Sequence, residues 1–240
     1  MSSRKKQRRE PRYFTPVNAP NVPFHYREAY KSLRTNVKFI AATEKAGSFV
    51  ITSALQMESK SNISANLAIT LAEEGKRLDC DFRKPTIHRF AQLHLHGCGI
   101  TDVLMGACEL RDALYHIESW NVDVLPVGTV PPNPAELLST TLMGAVLRAL
   151  RESYDYVIID TPPICAVTDA AIIGGMADGA FLVVRADYAP TEMVQMAKRR
   201  LTDVHVKLFG VILSRFDAKR TGRQSGYSYS YDQYYSYEET

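Results

Sequence analysis

The sequence predicts an α/β fold in which a mainly parallel sheet is covered by helices on both faces. Three observations carry this. Short apolar runs alternate along the chain with segments of helical period. The runs are continuous rather than in–out alternating, as strands buried on both sides should be. Hydrophobic residues make up 45% of the 240, enough for a full core.

The elements follow in order. Residues 1–23 are basic (Arg4, Lys5, Lys6, Arg8, Arg9) and proline-containing (Pro11, Pro16, Pro20, Pro23), which predicts an extended, flexible arm. From Phe24 to about Ala42, Tyr26, Ala29, Tyr30, Leu33, Val37 and Ile40 recur at three- and four-residue steps, the pattern of an amphipathic helix. Ser48–Ala54 reads as a buried strand running into a polar loop. Ser61–Glu74 reads as a helix stopped by Gly75. Val122–Val127 is a strand, Ala135–Leu150 a helix beginning just after Pro134, and Tyr156–Ile159 a strand ending at Asp160. Ala180–Val184 and Leu208–Leu213 are strands separated by a helix from about Pro190 to Leu201. This divides the chain into an arm (1–23), one domain (24–216) and a tail (217–240).

The net charge of +3 gives no argument for a nucleic-acid partner. The basic leader is either a solvated run or a segment drawn to an anionic membrane face. No apolar stretch approaches the length of about 18 residues that a spanning helix needs, and no signal-peptide core is present, which predicts a cytoplasmic protein. Cys80, Cys98, Cys108 and Cys165 form no CxxC pair, as expected of reduced thiols. His94, His96 and Cys98 have ligand-like spacing, but no second ligand pair supports a metal centre.

From Tyr227 to Thr240 the chain reads YSYSYDQYYSYEET, with tyrosines at Tyr227, Tyr229, Tyr231, Tyr234, Tyr235 and Tyr237. The segment has no aliphatic residue to bury, so it predicts a mobile tail. Each phenol is a candidate phosphoryl acceptor that would gain about −1.5 to −2 charges. The alternative is an aromatic low-complexity end that promotes association.

A strand, a loop, Lys60–Ser61 and a helix have the layout of a P-loop. In such a loop backbone N–H groups and a helix N-terminus cradle phosphates, the lysine reaches the β/γ oxygens and the hydroxyl holds Mg²⁺. Ser53, Ala54, Glu58, Ser59, Lys60, Ser61 and Asn62 are the candidate nucleotide-binding residues, and Asp160 stands where a second metal-holding group belongs. The fold is therefore P-loop NTPase-like, with ATP and Mg²⁺ as expected cofactors. The loop SALQMESKS departs from GxxxxGK[ST], which puts glycines at Ala54 and Ser59. A β-carbon at a left-handed position costs about 1–2 kcal/mol, so impaired nucleotide binding is an expectation beside the functional one.

From Phe24 to Thr240 the whole pattern resembles the bacterial tyrosine kinases of capsule and exopolysaccharide systems, in their stand-alone cytoplasmic form. The resemblance rests on FHYREAYKSLRTNVKFI, TSALQMESKSN, LDCDFRKP, VGTVPPNPAELL, VIIDTPP, FLVVRADYAPTEMV and the tyrosine cluster. It implies that Lys60 and Ser61 contact phosphate and Mg²⁺, and that Asp79 and Asp81 coordinate the metal and activate the incoming hydroxyl. Asp160 would complete the metal shell. It also implies a ring of subunits joined through Glu28, Lys31 and Arg34, a membrane-spanning activator that recruits the chain to the membrane's inner face, a cognate tyrosine phosphatase, and autophosphorylation of the tail. Gln56, Met57, Ser59 and Asn62 replace the family's usual proline, two glycines and threonine. Only Arg77 and Leu78 separate Lys76 from Asp79, where relatives have a longer strand. At about 3.3 Å per residue this predicts that Asp79 and Asp81 fall short of the phosphate. The alternatives to a kinase are a catalytically impaired pseudokinase acting as a scaffold, and a partitioning-type ATPase.

Overall fold

The computed structural model describes residues 14–73, 77–81 and 97–216. Residues 1–13, His94, His96 and the tyrosine-rich tail lie outside the described residues. The helices are α1 (Phe24–Glu44), α2 (Lys60–Ala72), α3 (Ile100–Leu104), α4 (Pro134–Leu138), α5 (Thr141–Ser153), α6 (Asp169–Gly174) and α7 (Thr191–Thr202). The strands are β1 (Ser48–Ser53), β2 (Arg77–Asp81), β3 (Tyr115–Ile117), β4 (Val122–Leu125), β5 (Tyr156–Asp160), β6 (Gly179–Arg185) and β7 (Leu208–Ser214). They form one sheet in the order β3-β4-β2-β5-β1-β6-β7. Its neighbours pair in parallel except the edge pair β3/β4, which is antiparallel.

All six residues of β1 are buried. Phe49 and Ile51 pack with α2, while Val50 faces the core on the other side. The same division runs through β5, where Ile158 joins the α2 side and Val157 and Ile159 the opposite side. Strands sandwiched in this way must be apolar at every position, which is why they lack alternation. Helix α2 is wedged between the sheet and α1, and eleven of its thirteen residues are buried. A helix apolar nearly all round is one that has no solvent face.

Three expectations need correction. The chain from Phe14 onward is not a free arm. The Phe14 ring lies 5.2 Å from that of Trp120, and Val17 is 2% exposed. The Val17 N–H donates to Asn66 Oδ1 at 2.7 Å, and the Asn66 amide donates to the Thr15 carbonyl at 3.3 Å and to the Tyr26 hydroxyl at 3.0 Å. Val17 and Val22 have apolar surface to bury, and the buried amide of Asn66 needs partners, so this stretch docks. The helix expected over Ala135–Leu150 is two helices. Thr140 adopts an extended backbone between them and its hydroxyl accepts the Met143 N–H at 3.4 Å, starting α5 afresh. Finally, β2 takes the acidic motif into the strand itself. Arg77–Asp81 pair along β5, with Asp79 opposite Ile158 and Asp81 opposite Asp160. Asp81 is therefore level with Asp160 and does not fall short, whereas Asp79 lies about 6–7 Å further back along the sheet.

Among the described residues Cys98, Cys108 and Cys165 are free thiols. Burial pushes the Cys108 thiol up to about 12. No described helix is long and apolar enough to cross a membrane.

Asn66→Ala should strand the Val17 N–H and free the segment before α1. The expected loss is about 1–3 kcal/mol in a denaturant melt, with new proteolytic cleavage within residues 14–22. An unchanged melt would contradict the docking.

Candidate functional site

β1 ends at the carboxyl edge of the sheet and delivers the loop 54–59 to the start of α2. Two loop residues turn left-handed, Met57 at φ 65° and Ser59 at φ 72°. Ala54 does not, so of the two positions where the motif places glycine only Ser59 demands its conformation. Met57 is the second demanding position. Two side chains thus occupy backbone geometry that glycine adopts freely.

The first turn of α2 has no side-chain cap and no acidic residue. Its leading N–H groups and the positive end of the helix dipole therefore face the loop, an arrangement suited to an anion. Lys60 is 8% exposed, and its ammonium donates to the Ser53 hydroxyl at 2.9 Å, which in turn donates to the Leu55 carbonyl at 2.6 Å. Ser61 Oγ donates to Asp160 Oδ2, joining the start of α2 to the end of β5. Asn62 Oδ1 is buried and has no hydrogen-bond partner among the described residues.

Glu58, expected among the nucleotide contacts, is 0% exposed and turns its carboxylate inward, so its side chain serves the loop itself. Oε1 accepts the Leu55 N–H at 2.6 Å and Oε2 accepts the Arg185 N–H at 2.9 Å. Its carbonyl accepts from the Ser214 hydroxyl at 2.9 Å. The signal that could have found it is a lone acid in a loop otherwise bound for phosphate, where an outward carboxylate would repel the ligand.

The set Ser53, Glu58, Ser59, Lys60, Ser61 and Asp160 is thus brought together, and Ala54 begins the loop, 1% exposed. Asp79 and Asp81 are placed by strand register alone. No described cluster of three or more His, Cys, Asp or Glu could hold an ion by itself. This fits Mg²⁺, which is commonly held by one or two carboxylates plus substrate phosphates and water. Ser61 and Asp160, already in contact, fit such an ion between them.

The proposed interface residues lie on α1. Glu28 and Lys31 pair with each other at 2.7 Å. Arg34 reaches α2, donating to the Thr70 carbonyl at 2.9 Å and pairing with Glu73. Partial burial raises the phenol pKa of both Tyr26 and Tyr30.

Residues 58–207 match the AAA domain family. The chain is 39% identical over 205 residues to tyrosine-protein kinase YwqD of Bacillus subtilis, covering 84% of this chain and 85% of that one. The kinase domain of the Escherichia coli tyrosine kinase ETK superposes with a TM-score of 0.79 at 30% identity, covering 87% of this chain and 82% of that domain. The chimerical protein CapA2B2 superposes with a TM-score of 0.76 at 33% identity, covering 83% and 88% respectively.

Glycine at Met57 or Ser59 removes a left-handed penalty of about 1–2 kcal/mol but adds about 0.5–1 kcal/mol of unfolded-state entropy. Each substitution should therefore stabilise the chain by up to about 1.5 kcal/mol, read from a denaturant midpoint shifted upward at constant slope. A downward shift would contradict the backbone geometry.

Proposed function

Because the chain belongs to the bacterial tyrosine-protein kinase family, we propose that it transfers the γ-phosphoryl group of ATP to tyrosine hydroxyls, foremost those of its own tail. The observation that carries this is the junction at the sheet's carboxyl edge, where an uncapped helix start, a buried lysine and the Ser61–Asp160 contact share one loop. Phosphoryl transfer asks little covalent chemistry of a protein. Positioning and charge neutralisation supply most of the rate.

The loop N–H groups and α2 hold the phosphates, and Lys60 leaves Ser53 to meet the β/γ oxygens. Magnesium would be held by Ser61 and Asp160 and would neutralise charge on the transferring group; the resemblance adds Asp79 to this set, although Asp79 stands two residues behind Asp160 along the sheet. Asp81, level with Asp160, is the carboxylate better placed to take the proton of an attacking phenol, which is a stronger nucleophile once deprotonated. The acceptors are Tyr227, Tyr229, Tyr231, Tyr234, Tyr235 and Tyr237. Tyr26 and Tyr30, half-buried on α1 and engaged with Asn66 and the Asn62 carbonyl, are not among them.

The same reading extends to assembly and place. Copies of the chain form a ring through α1, each presenting its tail to a neighbour, and a membrane-spanning activator holds the cytoplasmic ring at the membrane in a capsule or exopolysaccharide system. A tyrosine phosphatase resets the tail. Phosphorylated tails repel one another and loosen the ring. One observation favours the scaffold alternative, namely the two left-handed loop positions without glycine.

Incubation with γ-labelled ATP and Mg²⁺ should label the wild type. Lys60→Met should reduce labelling at least about 100-fold, and the six-fold Tyr→Phe tail should lose most of it. Label on neither wild type nor tail would leave only the scaffold. Asp81→Asn should lower kcat by about 100-fold or more and Asp79→Asn by less. The reverse order would contradict the assignment of Asp81 as the base.

A further inference from the structure

Glu58 is an acid buried completely, yet it meets no cation through its carboxylate among the contacts described above. Both oxygens take backbone N–H groups, one from Leu55 in its own loop and one from Arg185 at the end of β6. The Glu58 carbonyl is held by Ser214 at the end of β7. The Arg185 guanidinium, which lies 4.7 Å from the Tyr188 ring centroid, donates to the Met57 carbonyl at 3.4 Å. One residue therefore joins the ends of three neighbouring strands, β1, β6 and β7. It also sits between the two left-handed residues, Met57 and Ser59.

Burying a carboxylate is costly unless its hydrogen bonds are complete. A neutral glutamine would offer one acceptor and one NH₂, and the NH₂ would face an N–H. The site is thus specific for the charged acid. Charge-assisted bonds of this kind are about twice as strong as neutral ones, so they can hold backbone that would otherwise relax out of the left-handed region. We propose that Glu58 is a positioning residue: its buried carboxylate clamps the phosphate loop to β6 and holds Met57 and Ser59 in the conformation that binds a nucleoside triphosphate. The proposal rests on the kinase reading for its ligand but not for its geometry.

The test uses the full chain, Mg²⁺ and a fluorescent ATP analogue. In the natural loop, Glu58→Gln should weaken nucleotide affinity at least tenfold. In a Met57→Gly/Ser59→Gly background, where the turn needs no forcing, the same substitution should cost less than threefold. Such non-additivity is the signature of direct coupling, and a residue that only stabilised the fold would cost the same in both backgrounds. Equal losses, or none, would overturn the proposal. Should Glu58→Gln not fold, Ser214→Ala removes only the hydroxyl on the Glu58 carbonyl and should show the same background dependence with a smaller loss. Amide hydrogen exchange separates this idea from the kinase reading. If the wild type binds no nucleotide, the kinase reading fails, and the clamp is judged by the Leu55 and Arg185 amides alone. They should exchange at least tenfold faster in Glu58→Gln, and unchanged exchange would overturn the clamp.

Discussion

The chain must turn left-handed at Met57 and again at Ser59, and it does so without glycine. Everything at the carboxyl edge of the sheet depends on that turn. It aims the start of α2 at the loop interior, sets Lys60 beneath the loop against Ser53, and lets the Ser61 hydroxyl reach Asp160. A looser path would separate the ammonium, the hydroxyl and the carboxylate by more than a hydrogen bond. The penalty of about 1–2 kcal/mol per left-handed side chain is modest beside a domain's folding stability of about 5–15 kcal/mol. It is large beside the differences that decide ligand affinity, where about 1.4 kcal/mol is a factor of ten.

Helix α2 carries the consequence into the rest of the molecule. It is enclosed by the sheet on one side and by α1 and the docked N-terminal segment on the other. Tyr30 donates to the Asn62 carbonyl at 3.5 Å near the start of α2, and Arg34 binds the Thr70 carbonyl near its end. Asn66, between them, is bonded to Val17, Thr15 and Tyr26. The helix that begins the proposed phosphate site is therefore gripped along its length by α1, where the ring contacts are proposed. Interiors are close-packed and transmit displacement, so a contact made on α1 has a short physical route to Lys60 and Ser61.

Much of this was legible in the sequence. Strands β1, β5, β6 and β7 and helices α1, α2 and α7 stand within two or three residues of where apolar period and punctuation put them, because long buried elements leave an unmistakable pattern. The Lys60, Ser61 and Asp160 convergence followed from the strand–loop–helix layout. The failures were local. Thr140 split a helix by capping it, which no periodicity records, and the three-residue edge strand β3 is too short to have a period. Phe14 and Val17 read as residues of a loose arm because their partners, Trp120 and Asn66, are far away in the chain. The inward turn of the Glu58 carboxylate is not legible, because an acid in a polar loop gives no sign of which way it faces. The short approach places Asp79 correctly, two residues behind Asp160 along the sheet, but not Asp81, because the strand continues through the acidic motif.

The central claim is that Lys60, Ser61 and Asp160 surround one magnesium-bound triphosphate although the loop lacks its glycines. Isothermal calorimetry of the full chain with ATP, with and without Mg²⁺, tests this most directly. The account predicts a saturable heat at submillimolar ATP that weakens at least tenfold when Mg²⁺ is removed or when Asp160 is replaced by Asn. No heat at millimolar Mg²⁺–ATP, or binding indifferent to both changes, would contradict it.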